Sequence, residues 1–553
     1  MYHKGVQKFG SEKAKAAVMK EMDQLRRRNC FCPVDVSTLT EEEKRKAQAM
    51  LMLLSEKSNG KIKGRGVYNG TPTREWFTKE DAASPTVSME SIFLCATVDA
   101  HEEHDVMTND IPNAFIQAQL PRWKDGEECI LLKITGVLID FLLELAPEVY
   151  GPSVVFEDGK RVLYLQVLRG LYGMLTSALL WYRKFRSDLE GEGYEFNPYD
   201  PCVCNKMIDG KQHTVRFHVD DCKSSHVDPK VNDMFYDWLN RLYGHHGEVT
   251  VTRGPIHEYL GMTFDFYEKG IVKVDMIPYM NAMVDDFSEQ IKDAAKTPAA
   301  DDVFAEGTGA TLPKEKKEEF HTFMAKGIFA CKRCRPDIHT ATTALCTRVS
   351  KPIESDWDKL VRLLKYINGT RNDKLILSAD DLSIIKWHVD ASFAVHLDFK
   401  SHTGAVMSYG RGMPISMSRK QKLNTHSSTE AELVGPDDAM TLILWTKYFM
   451  EAQGYAISRN ELGQDNKSAI LLENNGKRSS SERTRAINIC YFFITDQIEK
   501  GNIVVEYYPT GDMVADFMSK PLQGKLFEKF KCRIMGYKSF IPAQQDDRSV
   551  LDG

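Results

Sequence analysis

The stretch that decides the fold lies in the middle of the chain and reads His213-Thr214-Val215-Arg216-Phe217-His218-Val219-Asp220-Asp221-Cys222-Lys223. Apolar and polar residues alternate in it, so Val215, Phe217 and Val219 fall on one face of a predicted β-strand. The run ends in two adjacent aspartates, where a turn is expected. Neighbouring carboxylates repel each other, and a nearby cation would relieve the repulsion. Mg²⁺ fits this role because it prefers oxygen ligands and binds through one or two carboxylates together with substrate phosphates.

A third acid for such a site would come from a strand next to this one. The segment that supplies it reads Val106-Met107-Thr108-Asn109-Asp110-Ile111-Pro112-Asn113-Ala114-Phe115, with Asp110 as the acid. Asp110, Asp220 and Asp221 are therefore the candidate magnesium ligands. The alternative is that the pair of aspartates is an ordinary solvated turn that binds nothing.

Short motifs spread over most of the chain resemble the reverse transcriptases of copia-type LTR retrotransposons. Residues 218–221, His-Val-Asp-Asp, resemble the Tyr-x-Asp-Asp box of these enzymes, and residues 109–115 resemble their first-aspartate box, Asp-x-x-x-Ala-Phe. Further matching stretches follow in the family's order at residues 83–88, 168–173, 259–261 and 335–338. The chain is thus similar to a fragment of a Pol polyprotein. The capsid, protease and integrase parts that are usual in such polyproteins have no counterpart in this sequence.

The resemblance implies a right-hand polymerase with fingers, palm and thumb. Asp110, Asp220 and Asp221 would then hold two Mg²⁺ ions. One ion would activate the primer 3′-hydroxyl, and the other would bind the nucleotide triphosphate and its leaving pyrophosphate.

The resemblance also implies three nucleotide-binding residues. Phe115 would lie under the sugar as a steric gate against a 2′-hydroxyl, and Lys63 and Arg65 would be fingers cations on the triphosphate. The plainer alternatives are core packing for Phe115 and a solvated basic loop for Lys63 and Arg65. Near these positions Asn113 replaces the Gly or Thr of many relatives, His218 replaces Tyr, and residues 172–176 lack the family's usual Gln.

Four further acids resemble the Asp-Glu-Asp-Asp set of ribonuclease H in its copia-type form. Asp390 ends an apolar strand, Glu432 lies in a helix capped by residues 427–429, and Asp465 and Asp516 follow later. By motif, Glu432 rather than Glu430 matches the ligand, because it precedes the apolar Leu433. The resemblance implies two Mg²⁺ ions beside the scissile phosphate of an RNA–DNA hybrid, and a mixed five-stranded sheet with flanking helices. Taken singly, each acid is more typical of surface charge.

Three positions predict an impaired ribonuclease H site. Pro436 follows Glu432 by four residues, and an interior proline loses a helix hydrogen bond and clashes with the carbonyl at that distance, at a cost of about 3 kcal/mol. We therefore expect the helix to break or kink one turn beyond Glu432. Ala486 and Cys490 replace a histidine and a basic residue that are typical of the family.

The composition is that of a globular protein with several domains, and the predicted class is α+β. The chain has 553 residues, of which 42% are hydrophobic and 27% are charged. We predict reverse transcriptase fingers and palm over 1–290, a thumb or connection with a linker over 291–380, a ribonuclease H-like domain over 381–535 and a disordered tail over 536–553. Thr40 is predicted to cap a helix that continues through Met50 and Leu54, and residues 297–318 are predicted as a linker or mobile loop.

Net charge and cysteine content restrict the class of protein further. The formal net charge of −6 excludes a histone-like protein but not an enzyme with a basic channel. No apolar run is long enough for a membrane span, and 12 scattered cysteines indicate a reducing compartment. We expect an intracellular protein, with cytoplasm and nucleus not resolved. The cations predicted to contact nucleic acid are Lys61, Lys63, Arg65, Arg74, Arg253, Lys332, Arg333, Arg335, Arg362 and Lys365.

The leading hypothesis is an RNA-directed DNA polymerase joined to ribonuclease H. Its expected partners are an RNA template, a DNA primer, the RNA–DNA hybrid and dNTPs, its cofactor is Mg²⁺ at two ions per active site, and its oligomeric state is left open. One alternative is a decayed or domesticated protein that binds nucleic acid without catalysis. An unrelated metal-dependent nuclease is a weaker alternative, since it leaves the Asp220-Asp221 hairpin unexplained.

Overall fold

Helices and strands follow one another irregularly along the chain. The computed structural model describes residues 2–56, 60–120, 130–475 and 488–538. In these ranges the strands are β1 (Phe31–Pro33), β2 (Gln48–Glu56), β3 (Ile62–Tyr68), β4 (Asp105–Asp110), β5 (Leu131–Thr135), β6 (Val154–Glu157), β7 (Lys160–Val167), β8 (Glu195–Phe196), β9 (Val203–Ile208), β10 (Lys211–His218), β11 (Asp221–His226), β12 (Thr250–Thr252), β13 (Ile256–Tyr259), β14 (Met262–Asp265), β15 (Val272–Asp275), β16 (Leu375–Ala379), β17 (Ile384–Ser392), β18 (His402–Ser408), β19 (Gly410–Arg411), β20 (Ile415–Lys420), β21 (Arg459–Gln464) and β22 (Val504–Tyr507).

The same ranges contain α-helices of between one and seven turns. They are α1 (Tyr2–Phe9), α2 (Ser11–Arg27), α3 (Glu41–Lys46), α4 (Lys79–Ala82), α5 (Met89–His101), α6 (Ala114–Gln117), α7 (Val137–Leu145), α8 (Pro147–Tyr150), α9 (Ser177–Gly191), α10 (Pro229–Tyr243), α11 (Ile277–Asp285), α12 (Lys314–Cys331), α13 (His339–Cys346), α14 (Glu354–Gly369), α15 (Ser428–Ala452), α16 (Lys467–Asn475), α17 (Asn488–Glu499), α18 (Asp516–Ser519) and α19 (Gly524–Met535). Together with sheets that mix parallel and antiparallel pairs, they confirm the predicted α+β class.

The predicted strand with the two aspartates forms the centre of an antiparallel sheet. Its order is β12-β4-β11-β10-β9-β8. Val215 and Phe217 on β10 belong to a hydrophobic core that also includes apolar residues of α5, α9 and α10. The polar face of β10 is buried too, since Arg216 is 1% exposed and pairs with Asp99 of α5.

The N-terminal sheet corrects one prediction. Thr40 caps α3 as expected, through a reciprocal hydrogen bond with Glu43, but the helix ends at Lys46 and residues 48–56 form β2. Met50 and Met52 are buried on alternate positions, so the strand period of two describes this segment better than the helical spacing first assigned. β2 pairs antiparallel with β3 and parallel with β5, and these tertiary contacts outweigh local helix preference.

The segment predicted as a linker or mobile loop, residues 297–318, is irregular only up to residue 313, where α12 begins, and it is packed. Val303, Phe304 and Leu312 are buried in a core shared with α12, α13 and α14. Its backbone is also tied down, because the Leu312 N–H donates to the Pro352 carbonyl at 2.9 Å. The segment therefore contributes apolar contacts to the core.

Two cations predicted to contact nucleic acid have structural partners instead. Arg335 is fully buried and pairs with both carboxylate oxygens of Asp337 at 2.8 Å. Arg253 forms ion pairs with Asp105 and Asp233. Arg335 is therefore a structural residue of the protein interior, and its assignment to a phosphate-contacting surface is wrong.

The C-terminal sheet has five strands in the order β20-β18-β17-β21-β22, with β17, β21 and β22 mutually parallel. The long helix α15 packs against β17 and also contacts residues 197–199, which lie between β8 and β9. In that second contact Trp445 Nε1 donates to the Tyr199 carbonyl at 3.0 Å, and Asn197 Nδ2 donates to the Phe449 carbonyl at 3.1 Å. One hydrophobic core therefore extends from the acid-bearing hairpin to the C-terminal sheet.

The end of the described chain is ordered for three residues longer than predicted. Gly536 adopts φ 73° after α19, and the Tyr537 hydroxyl accepts a hydrogen bond from the Lys374 N–H at 3.2 Å. Residues 539–553 of the predicted tail lie outside the described residues, as do Ala486 and the side chain of Cys490. Within the described ranges, every helix is too short or too polar to span a bilayer.

Candidate active sites

Three aspartates meet at one end of the antiparallel sheet. Asp110 ends β4 and lies opposite Asp221, the first residue of β11, in antiparallel register. Asp220 lies in the two-residue turn between β10 and β11, and its carbonyl accepts a hydrogen bond from the Ile111 N–H at 3.1 Å. The fold therefore brings together the three acids that the sequence analysis singled out, although Asp110 lies 110 residues before Asp220 in the chain.

The turn that carries Asp220 is stabilised by a hydrogen bond from a buried tryptophan. Val219 has φ 59°, a left-handed conformation that is unfavourable for a β-branched residue and must be supported by its surroundings. Trp181 of α9 supplies that support, because its Nε1 donates to the Val219 carbonyl at 2.6 Å while its ring is buried against Phe185. Sequence reasoning did not identify Trp181, which looks like any core aromatic on an amphipathic helix.

The electrostatics of this first centre favour a bound cation. Burial raises the pKa of Asp220, and the negative charge of Asp110 raises it further. Burial together with Asp220 and Asp110 likewise raises the pKa of Asp221. A divalent cation would offset these penalties, and carboxylate oxygens are the kind of ligand that magnesium prefers.

The three predicted nucleotide-binding residues do not all lie together. The Phe115 ring is half-buried and packs edge-on against Tyr172, with ring centroids 5.0 Å apart. The Arg65 guanidinium lies 4.3 Å above the same Tyr172 ring. Tyr172 is thus the link between them, and it was quoted from the sequence only as part of a motif.

Lys63 lies two residues before Arg65 on β3. Burial raises the pKa of Asp220, and of the two cations it is Arg65 whose charge acts to lower it. Lys63 is exposed and lines a groove of about 390 Å³ with Lys20, Glu21 and Lys61. Burial raises the pKa of Glu21, although the positive charges of Lys63 and Arg65 act in the opposite direction. Lys63 therefore faces an acid of α2, whereas Arg65 faces the aromatic pair.

The segment that carries Phe115 is fixed by two backbone features. Asn113 has φ 54°, a left-handed conformation that asparagine adopts more readily than most residues other than glycine. Gly170 approaches so closely that a Cβ there would lie 2.6 Å from the Phe115 carbonyl oxygen. The Arg169 side chain donates to the Ile116 carbonyl at 3.1 Å. Residues 168–173 therefore position Phe115.

A second cluster of acids forms at the C-terminal sheet. Asp390 lies on β17, Glu432 on α15 and Asp465 directly after β21, and one carboxylate oxygen from each lies within 4.8 Å of the other two. In the described part of the chain, this is the one group of three potential metal ligands that meets so tight a limit. Glu430 is not part of it, because its carboxylate accepts from the His426 N–H at 2.6 Å.

The second cluster has the signature of a cation site. Glu432 is 8% exposed, and its Oε2 atom has no hydrogen-bond partner. Burial, together with the charges of Asp390 and Asp465, raises the pKa of Glu432 well above its usual range. An unsatisfied buried carboxylate oxygen is costly unless a ligand occupies the site, so the residues fit a divalent ion.

Asp516 joins this centre through a lysine. The Lys520 ammonium lies 2.6 Å from Asp516 and 3.3 Å from Asp390, and the Ser519 hydroxyl donates to Asp390. The short helix α18 contains Asp516 and Ser519 and is followed directly by Lys520. It packs against Gly404 on β18, where a Cβ would lie 2.7 Å from the backbone of Ala515 and Ser519. Burial and Asp390 raise the pKa of Asp516; burial alone would lower the pKa of Lys520, but the two acids raise it above its usual range.

The predicted break in the helix that carries Glu432 does not occur. α15 runs without interruption from Ser428 to Ala452, with Pro436 buried inside it. The Glu432 carbonyl, which has no N–H to accept from Pro436, accepts instead from Gln464 Nε2 at 3.3 Å. Because this side chain substitutes for the missing donor, the helix continues through the proline.

The Gln464 side chain forms hydrogen bonds with the backbone of two candidate metal ligands, Glu432 and Asp465, and this gives a testable prediction. Its Oε1 also accepts from the Asp465 N–H at 3.0 Å. Gln464→Ala is expected to lower the free energy of unfolding by about 1–3 kcal/mol, the cost of leaving a buried polar group unpaired. In a Pro436→Ala background the restored N–H satisfies the Glu432 carbonyl, so the same substitution should cost less. A double-mutant cycle measured by denaturant unfolding tests this, and purely additive effects would contradict it.

Comparisons with known proteins identify relatives but no family model that matches. The chain is 24% identical over 480 residues to the retrovirus-related Pol polyprotein from transposon TNT 1-94 of Nicotiana tabacum, covering 85% of this chain and 34% of the relative. It is 25% identical over 486 residues to the retrovirus-related Pol polyprotein from transposon RE1 of Arabidopsis thaliana, and the match covers 87% of this chain and 31% of the relative. A solved structure of a foamy viral protease-reverse transcriptase with double-stranded DNA is 12% identical, with a TM-score of 0.49 over 90% of this chain and 70% of that chain.

The curated relatives confirm the predicted resemblance to retrotransposon Pol proteins. They are Pol polyproteins of plant transposons, and this chain spans about a third of their length. Their names do not specify the copia group. The matched region includes most of the chain and hence most of the motifs from which the resemblance was inferred.

Proposed function

We propose that this chain is the RNA-directed DNA polymerase of a copia-type retrotransposon, joined to a ribonuclease H. The observation that carries the proposal is the convergence of Asp110, Asp220 and Asp221 at one sheet end. The proposed substrates are an RNA template, a DNA primer and dNTPs for the first centre, and an RNA–DNA hybrid for the second. We assign fingers and palm to residues 1–290, the thumb or connection to 291–380 and the ribonuclease H-like domain to 381–535.

In the first centre, Asp110 and Asp221 would hold Mg²⁺ from facing strands, and Asp220 would do so from the turn. Two such ions supply charge neutralisation at the attacking and leaving oxygens of a phosphoryl transfer. Phe115 would support the sugar of the incoming nucleotide, and Arg65 would contribute positive charge near its phosphates. The backbone contacts of residues 168–173 keep Phe115 in place for this role.

In the second centre, Asp390, Glu432, Asp465 and Asp516 would hold Mg²⁺ beside the scissile phosphate of the RNA strand. The continuous α15 and the compensation by Gln464 favour an intact site. We therefore replace the expectation of impaired cleavage at Pro436 with the proposal that hybrid cleavage is retained. Pro436→Ala should not increase it.

The proposal is tested by two assays on the purified chain with Mg²⁺. The first is extension of a DNA primer on an RNA template, and the second is cleavage of a labelled RNA–DNA hybrid. Both activities are expected, and both should disappear with a chelator. Binding of the hybrid without extension or cleavage would instead support the alternative, a nucleic-acid-binding protein without catalysis.

Phe115 gives a prediction about nucleotide selection. Phe115→Val removes the ring that would exclude a 2′-hydroxyl, so the preference for dNTPs over rNTPs, measured as a ratio of kcat/KM, is expected to fall by about 10- to 100-fold. Phe156→Val, the same change at a side chain 73% exposed on β6, is the control and should leave the ratio unchanged. An unaltered ratio in Phe115→Val would assign this ring to core packing.

A further inference from the structure

Asp390 lies between two different groups of charges at the second centre. On one side, its carboxylate converges with those of Glu432 and Asp465 to within 4.8 Å. On the other side, the Lys520 ammonium lies 3.3 Å from both oxygens of Asp390 and 2.6 Å from Oδ1 of Asp516. One side therefore joins three acids directly, and the other joins two acids through a lysine.

We infer that Lys520 is a built-in counter-ion that controls binding of the second divalent ion. One ion binds tightly through Asp390, Glu432 and Asp465. A second ion binds on the Asp516 side only when the Lys520 ammonium moves away. This inference rests on the proposed two-metal centre and deepens it by naming the residue that sets the order of ion binding.

The backbone of Lys520 is fixed at the end of α18, while its side chain can move. Its backbone N–H donates to the Asp516 carbonyl at 2.9 Å, and Pro521 follows it directly. Its side chain is 37% exposed, so the ammonium can reach solvent. Lysine is a compact charge on a flexible stem, which suits a group that must leave, whereas the carboxylates are anchored on strands and helices.

The charge balance agrees with this arrangement. Four carboxylates face one ammonium, so a single divalent ion already brings the centre close to neutrality. The unsatisfied Oε2 of Glu432 lies on the side of the three acids, where the first ion is expected. In two-metal sites the ions lie about 3.5–4 Å apart and share a ligand, and Asp390 is the acid that touches both sides here.

The test counts Mn²⁺ ions by electron paramagnetic resonance in the full chain. Asp220→Asn and Asp221→Asn are present throughout, to remove the ions of the first centre, and a further Asp390→Asn variant gives the baseline for ions bound elsewhere. With Lys520 intact, we expect one tight ion and a second that binds at least about tenfold more weakly, since a unit charge a few ångströms away repels it. Lys520→Met should tighten the second ion by a similar factor.

Two variants serve as matched controls. Lys525→Met, at an exposed lysine of α19, should leave both affinities unchanged, and Lys520→Arg should keep the second ion weak. Two equally tight ions with Lys520 intact would overturn the inference alone, and this measurement does not depend on the folding of a Lys520 variant. No ions above the Asp390→Asn baseline would contradict the proposed metal centre itself. A second ion that binds no more tightly in Lys520→Met than with Lys520 intact would also overturn the role of Lys520.

Discussion

Replacing Asp220 with Asn is expected to reduce primer extension by about 10³-fold or more. The substitution keeps the size of the side chain but removes a carboxylate charge from the point where Asp110 and Asp221 meet. A bound metal ion stabilises transition-state charge by several kcal/mol, and each 1.36 kcal/mol corresponds to a factor of ten in rate. Single-turnover extension of a labelled primer measures the loss.

The chain offers a matched control in the other turn of the same strand. Asp209 lies in the turn between β9 and β10 at φ 50°, a conformation that asparagine also tolerates. Asp209→Asn should leave extension unchanged. Hybrid cleavage by Asp220→Asn should also persist, because the second centre uses different acids. Extension at the wild-type rate in Asp220→Asn would contradict the assigned role.

The largest effect on stability is expected at the buried ion cluster under the same sheet. Asp99 and Arg216 are 2% and 1% exposed and pair at 2.8 Å, and the Asp99 carboxylate also contacts His104. Asp99→Asn leaves the Arg216 guanidinium buried without its counter-charge. We expect the free energy of unfolding to fall by about 3–5 kcal/mol, as found when one partner of a buried pair is removed. Urea denaturation measures the change.

An exposed pair provides the comparison for this substitution. Asp496→Asn removes an ion pair with Lys500 whose side chains are 46% and 59% exposed, and it should cost less than about 1 kcal/mol. A similar cost for Asp99→Asn and Asp496→Asn would show that the buried cluster contributes no more than a surface pair.

The same cluster predicts how stability depends on pH. Burial alone would lower the pKa of His104, but hydrogen bonds to Asp99 and Glu102 raise it to about 9. The folded chain therefore keeps this proton at pH values where the unfolded chain, with an ordinary histidine pKa near 6.5, has lost it. The stabilisation is complete below about pH 6.5 and is lost as the pH rises toward 9. His104→Gln should remove this part of the slope, and an unchanged slope would contradict it.

Local sequence patterns predicted those features that depend on neighbouring residues. The alternation in residues 213–219 predicted β10, and the pattern around Thr40 predicted the start of α3. The α+β class followed in the same way. The sequence analysis expected Asp110 on a strand next to the Asp220-Asp221 hairpin, but the register that sets Asp110 opposite Asp221 was not predicted, because pairing between distant strands is not encoded in a local period.

The sequence could not predict contacts that join distant segments. The presence of Pro436 predicted a break or kink in the helix. Only the structure reveals that Gln464, from β21, donates to the Glu432 carbonyl that the proline leaves without a partner. Trp181 and Tyr172 act through a single hydrogen bond and a ring contact whose partners lie far away in the chain. The helix assigned to residues 47–54 failed because strand pairing outweighs local periodicity.

The most direct test of the central claim is a crystal structure of the chain with Mn²⁺, primer–template and a dNTP, with ions located by anomalous scattering. The account predicts manganese peaks within coordinating distance of the carboxylates of Asp110, Asp220 and Asp221, between them and the triphosphate. Manganese confined to Asp390, Glu432 and Asp465, with a bound triphosphate and none at the three aspartates, would contradict the polymerase assignment.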